Sequence, residues 1–245
     1  LEFEALPPMS LKGKSKPVPV YQLLKAKSVY HKARGIEGLA SPLVGREAEA
    51  QTLQSAVARL GHGSGGIVTL VGEAGLGKSR LIAESRDSDV AEHLTWVEGR
   101  CLSYSGSIAY LLWLDVLRNM LHITPEDAPA AVEATLRARV RALAPEQFDD
   151  IYPFLAQLLS LPLDDTAQAR LRGIEAEGLQ TLTFHAIAAL VERAARQQPL
   201  VIVCEDLHWA DPTSLDLLER LLALTDRAPL ILLCVLRPET EHACW

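Results

Sequence analysis

Lysine is scarce in most of this chain. From residue 41 onward the sequence contains 16 arginines and one lysine, Lys78. A lysine ammonium is a compact point charge, whereas the arginine guanidinium is a planar fork, so the two cations are not interchangeable between phosphate oxygens. The exception indicates that position 78 is a site where the choice of cation matters.

Long apolar runs are also lacking. Uncharged apolar runs such as PLVIVC and APLILLCVL are far shorter than the roughly 20 residues that cross a bilayer. The first residues, LEFEALPPMSLKGK, do not show the charged-then-apolar order of a secretion signal. We therefore expect a cytoplasmic protein that does not partner a membrane.

Cysteine is rare, with four residues that form no CxxC pair and have no histidine at metal-ligand spacing. Cys204 and Cys234 fall inside apolar, strand-like runs, while Cys101 and Cys244 lie elsewhere. We expect buried thiols rather than redox or zinc ligands.

Positive charge is missing where a nucleic-acid surface would need it. The first 40 residues carry seven basic and three acidic side chains, whereas residues 41–245 carry 17 basic and 28 acidic ones, a net charge of −11. Nucleic-acid binding depends on clustered cations that displace counterions. We expect no direct nucleic-acid partner for the larger region.

A glycine-rich stretch, GEAGLGKS, follows an apolar strand-like run and precedes a segment with helical character. This is the GxxxxGK[ST] layout of a P-loop, in which glycines let successive N–H groups face phosphate oxygens at a helix N-terminus. Lys78 is expected to reach the β- and γ-phosphates and Ser79 to offer its hydroxyl to Mg²⁺; the alternative is a flexible turn. The predicted nucleotide-binding residues here are Gly72, Glu73, Ala74, Gly75, Leu76, Gly77, Lys78, Ser79 and Arg80.

Two acids follow the apolar run at residues 200–204. Glu205 and Asp206 are expected at the carboxyl end of a buried strand, where ligands of open α/β sheets collect. We assign Glu205 to the shell of Mg²⁺ and Asp206 to polarising a water that attacks the γ-phosphate, with the swapped assignment left open. The alternative is that both acids merely end the strand.

Three neighbouring positions have competing interpretations. Asp211, followed by Pro212, is favoured as a helix cap over a catalytic acid. His208 and Trp209 are expected to pack at the strand end. Arg237 follows the strand-like run LILLCVL, where a cation can stabilise γ-phosphate charge or can simply be a surface residue.

The segment between the predicted strands LTWVEG and LVIVC is rich in helical periodicity. Apolar residues recur at three and four spacing in four stretches, which predicts a helical insertion on a doubly wound sheet. Arg137, Arg139 and Arg141 are interpreted as a solvated face. The predicted fold class is α/β: a three-layer P-loop NTPase with a parallel sheet of RecA or AAA type, carrying this insertion, with a short N-terminal β tail.

Five segments together resemble the AAA-type ATPase module of the STAND class of signal-transduction ATPases. The resemblance runs from about Pro42 to the end of the chain in the order SPLVGREAEAQTL, GEAGLGKSRL, VEGRCLSYSGSIAY, VIVCEDLHWADPTSLDLL and LLCVLRPE. It implies that backbone at Val44, Gly45 and Arg46 contacts adenine, and that Arg237 is a phosphate sensor. It also implies a last core strand, a lid and repeat or winged-helix segments beyond Trp245, so the domain is expected to be incomplete at its C-terminus.

The N-terminal stretch FEALPPMSLKGKSKPVPVYQLL is similar to the final strands of class III nucleotide cyclase domains. The similarity covers none of the metal-binding or base-recognising residues, so no cyclase activity is expected. The implied domains are 1–24, the end of a cyclase-like domain; 25–41, an exposed linker; and 42–245, the ATPase domain.

Taken together, the sequence predicts an ATP-binding, Mg²⁺-dependent switch within a larger signalling or transcriptional regulator. Its expected partners are ATP or ADP and the cyclase and effector domains of its own longer chain, and the class also allows a homo-oligomer. ATP hydrolysis is expected of the intact parent. Two alternatives remain open: a nucleotide-binding scaffold without turnover, and an initiator-type DNA loader, which the acidic charge disfavours.

Overall fold

The computed structural model describes residues 2–9, 18–25, 45–103 and 108–238. The chain divides into two compact units, residues 1–37 and 38–245. The predicted LKG turn, the linker beyond Lys25, Val44 and Cys244 lie outside the described residues.

The first unit contains a two-stranded antiparallel hairpin, β1 (Glu2–Met9) and β2 (Val18–Lys25). Its register becomes irregular between Leu6 and Met9, which flank two prolines. Proline has no N–H to donate to a ladder, so an irregularity at this point is expected. The predicted N-terminal β tail is confirmed.

The second unit alternates strands and helices. Its strands are β3 (Gly66–Val71), β4 (Thr95–Arg100), β5 (Leu200–Glu205) and β6 (Leu230–Leu236). Its helices are α1 (Glu47–Gly61), α2 (Lys78–Arg86), α3 (Leu111–Met120), α4 (Pro129–Leu143), α5 (Phe148–Leu158), α6 (Asp165–Leu171), α7 (Ala176–Gln197) and α8 (Pro212–Leu222).

The four strands form one parallel sheet in the order β3-β6-β5-β4. Every residue of the two central strands, β5 and β6, is buried. Parallel strands covered on both faces are expected to be apolar throughout, which explains the sequences LVIVC and LILLCVL. The predicted α/β fold with a parallel sheet is confirmed.

Helices cover the sheet on both faces, which makes three layers. Val201 and Val203 of β5 belong to a core cluster formed with α1 and α2. Ile202 and Cys204, one residue out of phase, belong to a larger cluster formed with α3, α4, α5, α7 and α8. Successive strand residues point to opposite faces, so one strand contributes to both cores.

Five helices of the described chain, α3 to α7, stand between β4 and β5, and the predicted helical insertion is confirmed. The short helix α6 was not predicted. It begins after Asp164, whose side chain accepts a hydrogen bond from the Ala167 N–H at 2.8 Å, so the capping pattern was its only local signal. None of the described helices combines the length and the apolar character needed to cross a membrane.

The interpretation of Arg137 as part of a solvated face was wrong. Its guanidinium donates to Tyr152 Oη and Asp164 Oδ2, each at 3.0 Å, and to Glu133 Oε1 at 3.1 Å. It also lies 4.4 Å from the centroid of the Tyr152 ring. Arg137 therefore joins α4 to α5 and to the start of α6.

The prediction of buried thiols is confirmed for Cys101, Cys204 and Cys234, which are all buried. Burial raises the pKa of the Cys204 thiol well above its ordinary value. A thiol with a raised pKa is a poor nucleophile at neutral pH.

Among the described glycines of the sheet unit, Gly65 makes the tightest backbone approach. A Cβ at this position would lie 2.3 Å from the Thr225 carbonyl oxygen and 2.6 Å from those of Ala228 and Leu230. These oxygens belong to the backbone before β6 and to its first residue, and backbone atoms cannot rotate away as a side chain can. Gly65→Ala is therefore expected to lower the melting temperature by about 5 °C or more, an overpacking cost of about 2 kcal/mol.

The matched control is the neighbouring glycine. A Cβ at Gly66 would have no atom within 4 Å, so Gly66→Ala is expected to melt close to wild type. Thermal unfolding followed by circular dichroism measures both. Equal melting temperatures for the two variants would contradict the close approach at Gly65.

Candidate functional site

The glycine-rich loop lies between the end of β3 at Val71 and the start of α2 at Lys78. Gly75 and Gly77 both have φ of +82°, a left-handed conformation that residues with a Cβ rarely adopt. Gly77 is also the N-cap residue of α2. The loop therefore wraps the amino end of a helix, where N–H groups without helical partners and the positive end of the dipole favour an anion.

Lys78 folds back over this loop. Its ammonium donates to the carbonyl oxygen of Gly72 and, at 3.0 Å, to that of Glu73. The charge of the region's single lysine is thus placed at the mouth of the loop. A phosphate chain held in the loop can take over these hydrogen bonds as stronger, charge-assisted ones.

Ser79 reaches the first of the two acids. Its hydroxyl donates to Glu205 Oε1 at 3.1 Å, although the residues are 126 positions apart. Glu205 is the last residue of β5 and is 7% exposed. Hydroxyl and carboxylate oxygens are the donors that Mg²⁺ prefers, and Mg²⁺ takes only one or two carboxylates when substrate phosphates complete its shell, so this pair fits the ion.

The described ranges contain no group of three or more histidine, cysteine or acidic side chains arranged to hold a metal. A site that supplies a complete shell of protein ligands is thus not found in that part of the chain. The Ser79 and Glu205 pair is of the other kind, which needs oxygens from a bound phosphate.

Arg100 is a site residue that sequence reasoning missed. It ends β4 opposite Glu205 in the strand register, and its Nε and Nη2 both donate to Glu205 Oε2, the former at 2.8 Å. Burial is the largest single influence and lowers the pKa of Arg100, but the charge of Glu205, the hydrogen bonds to it and the charges of Asp206 and Glu98 together outweigh burial, so the pKa is raised. The sequence offered one signal, an arginine at the end of a strand, but not its partner.

Asp206 occupies a strained turn just after β5. Its φ and ψ are 55° and 39°, the left-handed region, which is uncommon for a residue other than glycine. Such strain is concentrated at functional positions. The carbonyl of Asp206 accepts the Trp209 N–H at 2.9 Å, which closes a short 3₁₀ turn at Leu207–Trp209.

The predicted packing of His208 and Trp209 at the strand end is confirmed. His208 is 5% exposed, Trp209 packs against the larger core cluster, and their ring centroids lie 4.5 Å apart. Arg237 joins this group from the end of β6, with its guanidinium carbon 5.0 Å from the centroid of the Trp209 ring. The carbonyl of the preceding Leu236 accepts the Gly72 N–H at 3.2 Å, so Arg237 follows a residue tied to the start of the loop.

Asp211 is a helix cap, as predicted. Its Oδ1 accepts the Ser214 N–H at 2.9 Å and its Oδ2 accepts the Ser214 hydroxyl at 2.6 Å, at the start of α8. Oδ1 also accepts the Tyr110 N–H at 3.3 Å. Asp211 is 4% exposed and fixes α8 next to the turn that carries Asp206.

The two described residues assigned to adenine lie at the amino end of α1. Gly45 has φ of +73° and donates its N–H to Glu47 Oε1 at 3.0 Å, and Arg46 pairs with Glu49 at 2.7 Å. These contacts are local to α1. The helix itself packs against α2 and β3, the two elements that flank the loop.

The remaining predicted loop residues differ in their surroundings. Glu73 contributes its carbonyl to Lys78, and Leu76 is 50% exposed at the tip of the loop. Arg80 lies in the first turn of α2, with its Nε 3.7 Å from Glu84 Oε2. Ala74 lies in the chain between Glu73, whose carbonyl accepts the bond from Lys78, and the turn at Gly75.

Comparison with known proteins finds a family and a relative. The AAA ATPase domain family matches the chain over residues 42–233, which include the loop and both acids but end before Arg237. An uncharacterized protein of Rhizobium meliloti (strain 1021) is 27% identical over 234 residues, covering 93% of this chain. The aligned region is 22% of that relative, so the chain spans about a fifth of its length.

Proposed function

The chain belongs to the AAA ATPase domain family and is a nucleotide-binding P-loop domain, and from this premise we propose that it binds Mg·ATP at the Gly72–Arg80 loop and acts as a nucleotide-dependent switch. The observation that carries the proposal is that Lys78, Ser79 and Glu205 all lie at the carboxyl edge of the sheet, where Ser79 is hydrogen-bonded to Glu205. Ligands of open α/β sheets bind at this edge.

Four residues of the loop, together with Glu205, have separate parts in this proposal. Gly75 and Gly77 turn backbone N–H groups toward the phosphates, and Lys78 exchanges its loop carbonyls for β- and γ-phosphate oxygens. Ser79 and Glu205 hold Mg²⁺, which neutralises phosphate charge when it is bound. The assignment of Glu205 to the metal is favoured because it is the acid that contacts Ser79.

Asp206 is the proposed acid for the attacking water. It follows Glu205 directly, and its left-handed φ and ψ turn the chain away from the direction of β5. A carboxylate in this position can accept a hydrogen bond from water and orient it toward a γ-phosphate.

Arg237 is the proposed sensor of γ-phosphate charge. Its guanidinium rests on Trp209, beside the turn of Asp206, and its backbone follows the strand end that bonds to Gly72. A change at the γ-phosphate can therefore reach this turn and, through the Asp211 cap, α8. Because α8 contacts α3 and α7, the helical layer is the proposed output of the switch.

The wider setting is a proposal as well. Since the chain corresponds to 22% of its relative, a domain of a larger protein is the natural context. The cyclase-like sequence at residues 1–24 and the STAND-like motifs favour a cytoplasmic regulator in which this domain acts on other domains of its own chain. A scaffold that binds nucleotide without turnover is the second candidate.

The switch is tested by amide hydrogen exchange with Mg·ADP and with Mg²⁺ plus a non-hydrolysable ATP analogue. The analogue is expected to slow exchange in the Leu207–Trp209 turn about tenfold more than ADP does, because about 1.4 kcal/mol of differential stabilisation suffices for that factor. Peptides from the β1–β2 hairpin, which belongs to the other compact unit, serve as the internal control. Equal protection by both nucleotides would contradict the switch and favour the scaffold.

A further inference from the structure

Arg100 is hydrogen-bonded to the carboxylate of Glu205, which the proposed function assigns to Mg²⁺. Two guanidinium nitrogens donate to Glu205 Oε2, while the Ser79 hydroxyl donates to Glu205 Oε1. Both oxygens of a carboxylate that is itself almost fully buried are thus engaged by hydrogen-bond donors. A cation that binds Glu205 must share this carboxylate with a guanidinium that already makes two hydrogen bonds to it.

The backbone of Arg100 is fixed, but its side chain is not enclosed. The Arg100 N–H donates to Asp115 Oδ2 at 3.0 Å, and Asn119 of the same helix donates to the Glu98 carbonyl at 2.8 Å. These bonds tie the end of β4 to α3. The Arg100 side chain is 40% exposed, whereas that of Glu205 is 9% exposed, so the guanidinium can leave the acid by rotation without moving the strand.

Charge determines whether the Arg100 guanidinium or the Ser79 hydroxyl leaves Glu205 when the ion binds. The guanidinium and Mg²⁺ are both cations and both seek the same carboxylate, so they repel each other at a separation of a few ångströms. The Ser79 oxygen, by contrast, can turn its hydrogen away and offer a lone pair to the metal. Arg100 is therefore the group that competes with the ion.

We propose that Arg100 is a positioning residue that neutralises Glu205 until Mg²⁺ displaces it, so that nucleotide binding becomes dependent on the ion. The inference rests on the proposed function, because it takes Glu205 as the acid on the metal side. It goes further by assigning a role to a residue outside the loop and the acid pair. A purely structural tie would instead hold Glu205 in place with or without metal.

The test is a Mg²⁺ titration of fluorescent ATP-analogue binding to wild type and Arg100→Gln. Removing the like charge is expected to lower the half-saturating Mg²⁺ concentration at least about tenfold. Binding measured with a chelator in place of Mg²⁺ is expected to change far less. Arg196→Gln, which removes the exposed ion pair with Glu192 near the end of α7, is the matched control and is expected to titrate like wild type.

A second measurement does not depend on how Arg100→Gln folds. The Nε–H signal of Arg100 is assigned by comparing NMR spectra. It is the arginine signal that wild type shows and Arg100→Lys lacks. It is expected to shift when Mg²⁺ and ADP are added together, and to stay in place with ADP and chelator. A signal that does not respond to Mg²⁺ would overturn the proposal.

The outcomes separate this inference from the function on which it rests. If wild type binds the analogue with Mg²⁺ but Arg100→Gln needs the same or more Mg²⁺, competition is wrong and nucleotide binding stands. If wild type does not bind the analogue at any Mg²⁺ concentration, both the function and the inference are wrong.

Discussion

Replacing Lys78 with alanine is expected to weaken binding of a fluorescent ATP analogue by about 100-fold or more. The ammonium already spans the loop, donating to the carbonyl oxygens of Gly72 and Glu73. Moving it to phosphate oxygens makes hydrogen bonds between charged groups, worth about 1.5–3 kcal/mol each, and two of them account for at least this loss. Fluorescence titration at saturating Mg²⁺ gives the dissociation constant.

Two further variants sharpen this prediction. Lys78→Arg is expected to remain weak, because the planar fork cannot fit between the phosphates as a point charge does. Arg86→Ala removes a cation from the last turn of the same helix and is expected to bind normally, although it loses its 3.0 Å pair with Glu98. Full affinity of Lys78→Ala for the ATP analogue would contradict the assignment of the loop as the phosphate-binding site.

Replacing Asp206 with asparagine is expected to slow ATP cleavage by about 100-fold or more while leaving nucleotide binding intact. The reason is that an amide cannot accept the proton that an attacking water loses, and general base catalysis contributes about 10²–10⁴. A single-turnover experiment, in which the protein is in excess over labelled ATP, measures the rate of cleavage even when that rate is low.

Glu205→Gln separates the two acids. Because Glu205 contacts Ser79 and Arg100, its neutral variant is expected to need more Mg²⁺ rather than to lose the chemical step selectively. The reverse pattern, with Asp206→Asn shifting the Mg²⁺ requirement, would show that the swapped assignment is correct. Undiminished cleavage in both variants would remove the acid pair from the mechanism.

Local sequence signals were sufficient for part of this site. The glycine spacing placed the turn before α2, and the Asp211-Pro212 pair placed the start of α8, because both depend on backbone preferences of a few adjacent residues. The buried strands β5 and β6 were likewise predicted from their continuous apolar runs.

Long-range contacts were not predictable in the same way. The bond between Arg100 and Glu205 joins positions 105 residues apart and depends on the register of β4 against β5, with five described helices in between. Arg137 was misjudged for the same reason, since Tyr152 and Asp164 reach it from other elements. A side chain's neighbours across a fold are set by packing, which a single sequence does not display.

The most direct test of the central claim is a crystal structure of the chain with ADP and Mn²⁺, whose anomalous signal locates the metal. We expect the diphosphate within hydrogen-bond distance of the N–H groups of Gly75, Gly77 and Lys78, and the metal bound to the Ser79 hydroxyl on the side of Glu205. A diphosphate bound elsewhere, with the loop empty and Lys78 still bonded to the Gly72 carbonyl, would contradict the account.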